Sequence, residues 1–250
     1  MHPMLGPLRA YPVAYLGGLV LHFIVAYVCA RRLGVRRGWW LIVSLSYAVS
    51  MTAGARVLYD ATHGCAFTLR DLLTAGYYAQ GGLWGGPLVH LALITALVLA
   101  LARPRAPVFD LVALALPLPM LIAKLGCFLN GCCYGAETTL PISLTFPTNP
   151  GGAPADVPLH PVQLYETGVL ALAFVVLAVL GPRWSGLRLP WFLLIYGAGR
   201  CLLDFVRGDA TDRVACGPFT ASQLLCCSVA AAAAVLLWRK RRRNPKELQA

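Results

Sequence analysis

The sequence is poor in charged residues, which make up 12% of its 250 residues, whereas soluble domains carry about 25%. Acidic residues number 10 against 21 basic ones, and 58% of the chain is hydrophobic. A soluble fold could not hide that much apolar surface. The composition therefore excludes an ordinary soluble domain and favours an integral membrane protein.

Apolar runs of roughly 18 residues recur along the chain, and each is long enough to cross a hydrocarbon core of about 30 Å. No small-residue cleavage site follows the first run and four arginines come directly after it, so we expect a retained helix rather than a signal peptide. No internal repeat divides the chain. We expect an all-α integral membrane protein with about seven transmembrane helices, irregular or re-entrant outward-facing segments and a single domain over residues 1–250. The seven runs lie approximately at Val13–Ala30, Trp40–Tyr59, Pro87–Ala102, Pro107–Phe128, Val162–Leu180, Leu189–Phe205 and Phe219–Trp238.

Most of the basic residues fall in alternate connections between these runs. They are Arg31, Arg32, Arg36, Arg37, Arg103, Arg105, Arg183, Arg188, Arg239, Lys240, Arg241, Arg242, Arg243 and Lys246. The positive-inside rule makes these connections cytoplasmic. The C-terminus is then cytoplasmic and the N-terminus periplasmic, in a multi-pass protein of the bacterial inner (cytoplasmic) membrane. Since topology explains the basicity and no cluster is interleaved with aromatic residues, we expect no nucleic-acid partner.

Seven basic residues remain on the outer side or within the membrane, and topology does not explain them. They are Arg9, Arg56, Arg70, Lys124, Arg200, Arg207 and Arg213. Arg200 and Asp204 are spaced i, i+4 and share one helix face. Charges inside an apolar span usually face a cavity or each other and mark a ligand path. The alternative is a structural ion pair near the interface, with Arg207 extending outward.

Three further outward segments are rich in polar groups or glycine. In YYAQGGLWGGP, we expect Gln80, Gly81 and Gly82 on a cavity wall, the alternative being a tight surface turn. In KLGCFLNGCCYG, glycine amides and Lys124 would together form an anion site, unless the segment is only a turn. HPVQLYE, from His160 to Glu166, indicates either a polar lumen or a wet helix end. Cations in a lipid-accessible cavity favour a phospholipid headgroup as ligand.

These segments, in this order, resemble the prolipoprotein diacylglyceryl transferase family. Its members are seven-helix inner-membrane enzymes that move diacylglycerol from phosphatidylglycerol to a cysteine of a lipoprotein precursor. GCFLNGCCYG resembles the family signature GRxGNFxNGExxG, HPVQLYE resembles HPSQLYE, and YGAGRCLLDFVRGD is similar to YGxxRFxxEFxR. The similarity extends from about Tyr15 to Trp238.

The resemblance assigns family positions residue by residue. Lys124 stands where the signature has its arginine, Cys127 where it has its first asparagine, and Cys132 where it has its glutamate. Arg200 matches an arginine near the phospholipid headgroup, and Asp204 conservatively replaces a glutamate. Asn130, Gly131 and Gly135 match the signature outright.

One departure bears on the chemistry. The family's HGG is Gln80, Gly81 and Gly82 here, and the lost histidine is the residue proposed to activate the incoming thiol. A glutamine side chain cannot take a proton near neutral pH. The substitute bases that the sequence offers are His160, Glu166 and Asp204.

Five of the nine cysteines fall on the predicted outer side, which is an oxidising compartment in a bacterium. A disulfide joining Cys127 to Cys132 or Cys133, and another joining Cys65 to Cys216, is the plain interpretation. The alternatives are free thiols, a cysteine nucleophile, and a zinc site formed by Cys127, Cys132, Cys133 and His160.

We therefore expect a diverged transferase that moves a diacylglyceryl group from phosphatidylglycerol to a thiol of a prolipoprotein. The candidate catalytic residues are Arg200, Lys124, Gln80, His160, Glu166 and Asp204. The candidate substrate-binding residues are Gly81, Gly82, Cys127, Asn130, Gly131, Cys132, Gly135, Gln163, Tyr165 and Arg207.

The expected partners are phosphatidylglycerol, the signal peptide of a lipoprotein precursor and the lipid bilayer, with no cofactor. Two other functions fit the same residues. One is a thiol-redox membrane protein that uses Cys127, Cys132 and Cys133. The other is a non-catalytic phospholipid-binding protein on the same scaffold.

Overall fold

A computed structural model describes residues 4–5, 8–57, 60, 68, 85–149, 151–181, 184–209, 215–216 and 219–243. Gln80, Gly81, Gly82 and Cys65 lie outside these residues, so the expectations placed on them stay predictions. The described chain is largely helical. Its α-helices are Ala10–Arg32 (α1), Trp39–Val49 (α2), Gly85–Leu101 (α3), Ala106–Ala115 (α4), Pro117–Asn130 (α5), Val162–Val179 (α6), Arg188–Leu203 (α7) and Ala221–Arg243 (α8).

Short irregular elements extend or flank these helices. A π-helical turn at Ser50–Gly54 continues α2, and a 3₁₀ turn at Asp204–Val206 continues α7. Two antiparallel strand pairs complete the described elements: Met4–Leu5 (β1) with Leu8–Arg9 (β2), and Ala215–Cys216 (β3) with Phe219–Thr220 (β4).

The helices have the length and composition of membrane spans. Within the described residues, six are long and apolar enough to cross a membrane, and α3 is a shorter apolar helix of 17 residues. The span Ala106–Asn130 contains both α4 and α5, which break at Leu116. Pro117 and Pro119 follow this break, and a proline ring disrupts the preceding helical turn. The expectation of an all-α, multi-pass membrane protein is confirmed.

Burial is distributed as a membrane bundle requires. Helix α4 runs through the centre, and its residues from Leu111 to Ala115 are all buried. Large apolar side chains such as Leu16, Val20 and Val179 are exposed on the outside, where hydrocarbon rather than water is the solvent. The outer surface therefore suits contact with lipid.

A buried ion pair joins α4 to α7. Asp110 is fully buried, and its Oδ2 accepts hydrogen bonds from Nη1 of Arg188 at 3.0 Å and from the backbone N–H of Gly186 at 2.8 Å. Nε of Arg188 also donates to the carbonyl of Leu177 in α6. Arg188, expected in a cytoplasmic connection, is instead the first residue of α7, where it ties three helices together.

The connection between α5 and α6 folds over one end of the bundle. Isolated bridges pair Glu137 and Leu144 with Leu159, and the buried residues Phe146, Ala153 and Leu159 form a small second core. Near this end, Gly126 of α5 packs against Tyr11 and Ala14 at the start of α1. The connection thus lies opposite the basic end of α1 at Arg31 and Arg32.

Candidate active site

A cavity of about 450 Å³ opens at the end of the bundle where α5 finishes and α6 begins. Its volume falls in the range of small-molecule pockets, about 300–1,000 Å³. Side chains from α1, α2, α5, α6 and α7 form its wall. Its charged lining residues, among those described, are Lys124, Glu166, Arg200, Asp204, Arg207 and Asp209.

Lys124 and Glu166 form an ion pair across α5 and α6. The Nζ atom of Lys124 lies 2.9 Å from Oε2 of Glu166, whose side chain is only 1% exposed. The hydroxyl of Tyr196 in α7 donates to Oε1 of the same carboxylate at 2.7 Å. Glu166 therefore connects three helices and holds a lysine ammonium at the cavity wall.

A second charged group lies where α7 ends. Nη1 of Arg200 is 3.3 Å from Oδ1 of Asp204, and Nε of Arg207 is 3.9 Å from the same oxygen. The hydroxyl of Thr220 donates to Oδ2 of Asp204, and Nε of Arg207 donates to Oδ1 of Asp209 at 2.8 Å. Asp204 thus lies within reach of both arginines, while Asp209 is the closer partner of Arg207.

Cations and carboxylates balance in the described lining, since three basic and three acidic residues face one cavity. Pairing with the carboxylates fixes the positions of the cations but does not occupy all of their N–H donors. A guanidinium has five N–H groups and an ammonium has three. Lys124 and the two arginines can therefore hold a carboxylate and an incoming phosphate together.

The placement of Arg207 corrects the alternative in which it extends outward. Its side chain is only 12% exposed, it lines the cavity, and it bonds Asp209. The cause is the 3₁₀ turn after α7, which redirects the chain so that the backbone of Arg207 bridges to Gly135. Helical periodicity alone does not predict this change of direction and therefore does not predict where Arg207 lies.

The glycine-containing turn after α5 is held from several sides. Gly131 ends the helix with φ +77°, a conformation that favours glycine, and the amides of Gly151 and Ala153 donate to the carbonyls of Asn130 and Gly131. The amide of Gly135 donates to the carbonyl of His160 at 3.1 Å. Asn130, Gly131 and Gly135 do not line the cavity; they shape the turn that does.

Gln163 is fully buried, and its Nε2 donates to the carbonyl of Cys132 at 2.8 Å. Nδ1 of His160 lies 3.4 Å from the hydroxyl of Tyr165. None of these three side chains lines the cavity. Of the substitute bases expected from the sequence, the structure brings Glu166 and Asp204 to the cavity and leaves His160 outside it.

Three thiols meet at the cavity wall. The Sγ atoms of Cys127, Cys132 and Cys133 all lie within 4.8 Å of one another, and all three cysteines are free. The expected disulfide of Cys127 with Cys132 or Cys133 is therefore not formed in this structure. Hydrogen bonds from the thiols of Cys127 and Cys132, and the nearby cations of Lys124 and Arg207, hold the pKa of the Cys133 thiol well below its usual range.

Comparison of the chain with known proteins identifies its family. The family model for prolipoprotein diacylglyceryl transferase matches residues 3–239. The chain belongs to the prolipoprotein diacylglyceryl transferase family. The resemblance seen in the sequence motifs is thereby confirmed, and the match takes in every element that lines the cavity.

Individual relatives agree with the family match. The chain is 33% identical over 218 residues to phosphatidylglycerol–prolipoprotein diacylglyceryl transferase of Geobacter sulfurreducens, covering 82% of each chain. It is 32% identical over 241 residues to the protein of that name from Cereibacter sphaeroides, covering 84% of this chain and 78% of the relative. It is 28% identical over 233 residues to phosphatidylglycerol–prolipoprotein diacylglyceryl transferase 2 of Clostridium perfringens, covering 87% of this chain and 86% of the relative.

Several residues that line this cavity were not singled out from the sequence. Tyr196 and Asp209 stand at the two ends of the motif YGAGRCLLDFVRGD, yet only its charged residues Arg200, Asp204 and Arg207 were singled out. Thr220 hydrogen-bonds Asp204 from a strand far along the chain. A tyrosine or threonine in an apolar segment carries little signal by itself, since both are common in bundle cores.

Proposed function

We propose that this chain transfers a diacylglyceryl group from phosphatidylglycerol to a cysteine thiol of a prolipoprotein. The observation that carries the proposal is the convergence of Lys124 and Arg200 on one cavity, which the buried Glu166 also lines. Both residues occupy phosphate-facing positions of the family, and the names of the relatives give the same donor and acceptor.

The charged lining suits the transfer step. The acceptor thiolate attacks the glycerol carbon next to the phosphate, the carbon–oxygen bond to the phosphate breaks, and glycerol phosphate leaves. Negative charge grows on the phosphate oxygen that loses the carbon. Lys124, Arg200 and Arg207 are cations fixed in advance near that position, and preorganised charge of this kind stabilises a transition state.

The same geometry supports roles for the other candidate residues. Glu166 and Asp204 position the cations. Gly131, Gly135, Asn130 and Gln163 hold the turn that carries Cys132, directly after the helix that carries Cys127. Gln80, Gly81 and Gly82 would complete the wall near the acceptor, as their family counterparts suggest.

We place the active site at the periplasmic end of a single domain in the inner membrane. The basic ends of α1 and α8, at Arg31, Arg32 and Arg239–Arg242, mark the cytoplasmic side by the positive-inside rule. The cavity lies near the start of α1, at the opposite end. The acceptor cysteine would enter from this side.

A thiol-redox function is the second candidate, and the three clustered thiols favour it. A direct assay separates the two functions. The purified full chain in vesicles of labelled phosphatidylglycerol is incubated with a peptide that carries a lipoprotein signal sequence. We expect labelled lipid on the cysteine peptide and none on a peptide with serine in its place.

A genetic test complements the assay. The chain should rescue a bacterial strain depleted of its own lipoprotein transferase, and the Arg200→Ala variant should fail to do so. Lack of transfer in vitro together with lack of rescue would overturn the proposal. Phosphatidylglycerol binding without transfer would leave a lipid-binding protein on this scaffold.

A further inference from the structure

Cys127, Cys132 and Cys133, which we name the thiol cluster, have the composition and spacing of a metal site. Their Sγ atoms lie within 4.8 Å of one another. Thiolates are preferred ligands of zinc, and Zn–S bonds of about 2.3 Å set tetrahedral sulfur atoms about 3.8 Å apart. Small side-chain rotations would therefore bring the three sulfurs to bonding distance from one ion.

The backbone that carries the thiol cluster is held in place without any ligand. The amide of Cys132 donates to the carbonyl of Cys127 at 3.1 Å, and Gln163 holds the carbonyl of Cys132 from α6. Cys133 has φ +57°, a left-handed conformation that is costly for a residue with a Cβ. Such strain is retained where the surroundings enforce it, often at ligand sites.

The thiol cluster supplies three ligands and leaves a fourth position open. Among the described residues, no histidine, carboxylate or further cysteine joins the three sulfurs. His160, which the sequence offered as a fourth ligand, lies beside Tyr165 and outside the cavity. Three protein ligands and one open position are typical of catalytic zinc, whereas structural zinc has four protein ligands.

The open side of the cluster faces the substrate cavity, because all three cysteines line it. A zinc ion with three thiolates carries one net negative charge. Lys124 and Arg207 line the same cavity, so their positive charges would attract this site even though each cation is also paired with a carboxylate.

We propose that the thiol cluster binds one Zn²⁺ ion, whose fourth position takes up the acceptor cysteine as a thiolate. The proposal rests on the proposed function, which requires a thiol nucleophile. On binding, the acceptor thiol releases its proton to solvent, since a metal-bound thiol is deprotonated. The sulfur of the acceptor then bonds to the glycerol carbon next to the phosphate. The bond from this carbon to the phosphate oxygen breaks, and the electron pair of that bond leaves with glycerol phosphate.

This assignment explains how the chain can work with glutamine at position 80. The family histidine would ionise the acceptor thiol by taking its proton, a task that Gln80 cannot perform. A zinc ion performs the same task by coordination. The presence of the three cysteines and the absence of the histidine then have one explanation, which is that zinc replaces the histidine in activating the nucleophile.

Metal analysis of the purified full chain tests the site. We expect one zinc ion per chain, and at least tenfold less in each of Cys127→Ser, Cys132→Ser and Cys133→Ser. Cys29→Ser and Cys201→Ser are matched controls, because these free cysteines lie outside the cavity. Wild-type protein that binds no zinc even after reduction, or cysteine variants that keep it, would overturn the proposal.

Cobalt replacement tests the open position without measuring activity. We expect the cobalt-loaded protein to show sulfur-to-cobalt charge-transfer bands and the visible bands of tetrahedral cobalt. The cysteine peptide should shift these bands, and the serine peptide should not. An unchanged spectrum with the cysteine peptide would overturn the role of the fourth position.

The transfer assay then separates failure of the inference from failure of the proposed function. Transfer that continues at full rate after zinc removal, or in Cys133→Ser, overturns the inference and leaves the transferase function intact. Stoichiometric zinc with a peptide-dependent cobalt spectrum, but no lipid transfer, supports the site and overturns the function.

Discussion

Lys124 and Glu166 form an ion pair in which Nζ lies 2.9 Å from Oε2, and the two side chains are 19% and 1% exposed. The carboxylate is the more deeply buried partner, so it anchors the ammonium and the ammonium remains the part that a ligand can reach. A lysine held in this way can donate to an incoming anion with its remaining N–H groups.

The first prediction concerns the charge at position 124. Lys124→Met should lower kcat/KM for phosphatidylglycerol by at least about 30-fold, or about 2 kcal/mol, the typical worth of a hydrogen bond to a charged group. Lys124→Arg keeps the cation and restores the family's residue, so it should retain or raise transfer. Transfer kinetics at equal membrane expression give the answer, and equal loss in both variants would argue against a phosphate contact.

The second prediction compares the two arginines near Asp204. The sequence favours a large effect for Arg200→Ala and a small one for Arg207→Ala, because Arg207 follows the predicted end of the helix. The structure buries Arg200 and leaves Arg207 half-buried, with side chains 8% and 12% exposed. Truncating a buried charged partner costs about 2–5 kcal/mol, so each variant should lose at least about 30-fold in transfer rate.

The control for this comparison is Arg103→Ala, which removes an exposed arginine that bonds only nearby carbonyls in the described structure. It should leave transfer unchanged at equal expression. An Arg207→Ala protein with the activity of wild type, beside an inactive Arg200→Ala protein, would restore the interpretation drawn from the sequence.

The sequence was sufficient to predict the membrane spans and some of the residues that line the cavity, because both follow from local physical rules. Hydrocarbon imposes the length of each apolar run, and the i, i+4 spacing of Arg200 and Asp204 places them on one helix face. Such local rules do not reach tertiary contacts. The hydrogen bond of Gln163 to a carbonyl 31 residues away, and that of Tyr196 to Glu166, depend on how the helices pack.

The convergence of the three thiols also depends on how the chain folds and not on local sequence rules. The oxidising compartment suggested a disulfide of Cys127 with Cys132 or Cys133. In the structure the chain turns through left-handed conformations at Gly131 and Cys133, and the three sulfurs meet. The alternative in which Arg207 extends outward is wrong because the 3₁₀ turn at Asp204–Val206 ends the helical periodicity just before it. Chain reversals of this kind are set by several segments together.

The third prediction concerns the turn after α5, which carries Cys132 and Cys133 of the thiol cluster. A Cβ at Gly131 would overlap the side chain of Asn149, which is itself held by hydrogen bonds to Pro147 and Ala153. Gly131→Ala also places alanine at φ +77°, at a cost of about 1–2 kcal/mol. The variant should unfold at a lower temperature in detergent and bind zinc at least tenfold more weakly, although all three cysteines remain.

Gly17→Ala is the matched control, because a Cβ at this position meets nothing within 4 Å. Its zinc content and unfolding temperature should equal those of wild type. Unchanged zinc content in Gly131→Ala would mean that the turn geometry does not prepare the thiol cluster for a metal.

The last prediction joins Gln80 to the thiol cluster. If zinc ionises the acceptor thiol, a histidine at position 80 has little to add while the site is intact. In the Cys133→Ser background the thiol has lost this activation, and an imidazole can act as general base, a role worth about 10²- to 10⁴-fold. Gln80→His should therefore raise transfer weakly in the wild-type background and by at least about 100-fold in Cys133→Ser.

The pH dependence checks the assignment, because an imidazole accepts a proton only in its neutral form. The gain in the double variant should appear as the pH rises through about 6.5, the ordinary pKa of histidine, and Gln80→Asn in the same background should give none. Transfer rates from pH 5 to 9 provide the measurement. Should Gln80→His raise transfer equally in both backgrounds, the thiol cluster does not activate the acceptor, and the histidine would simply restore the family's base to an enzyme that lacks one.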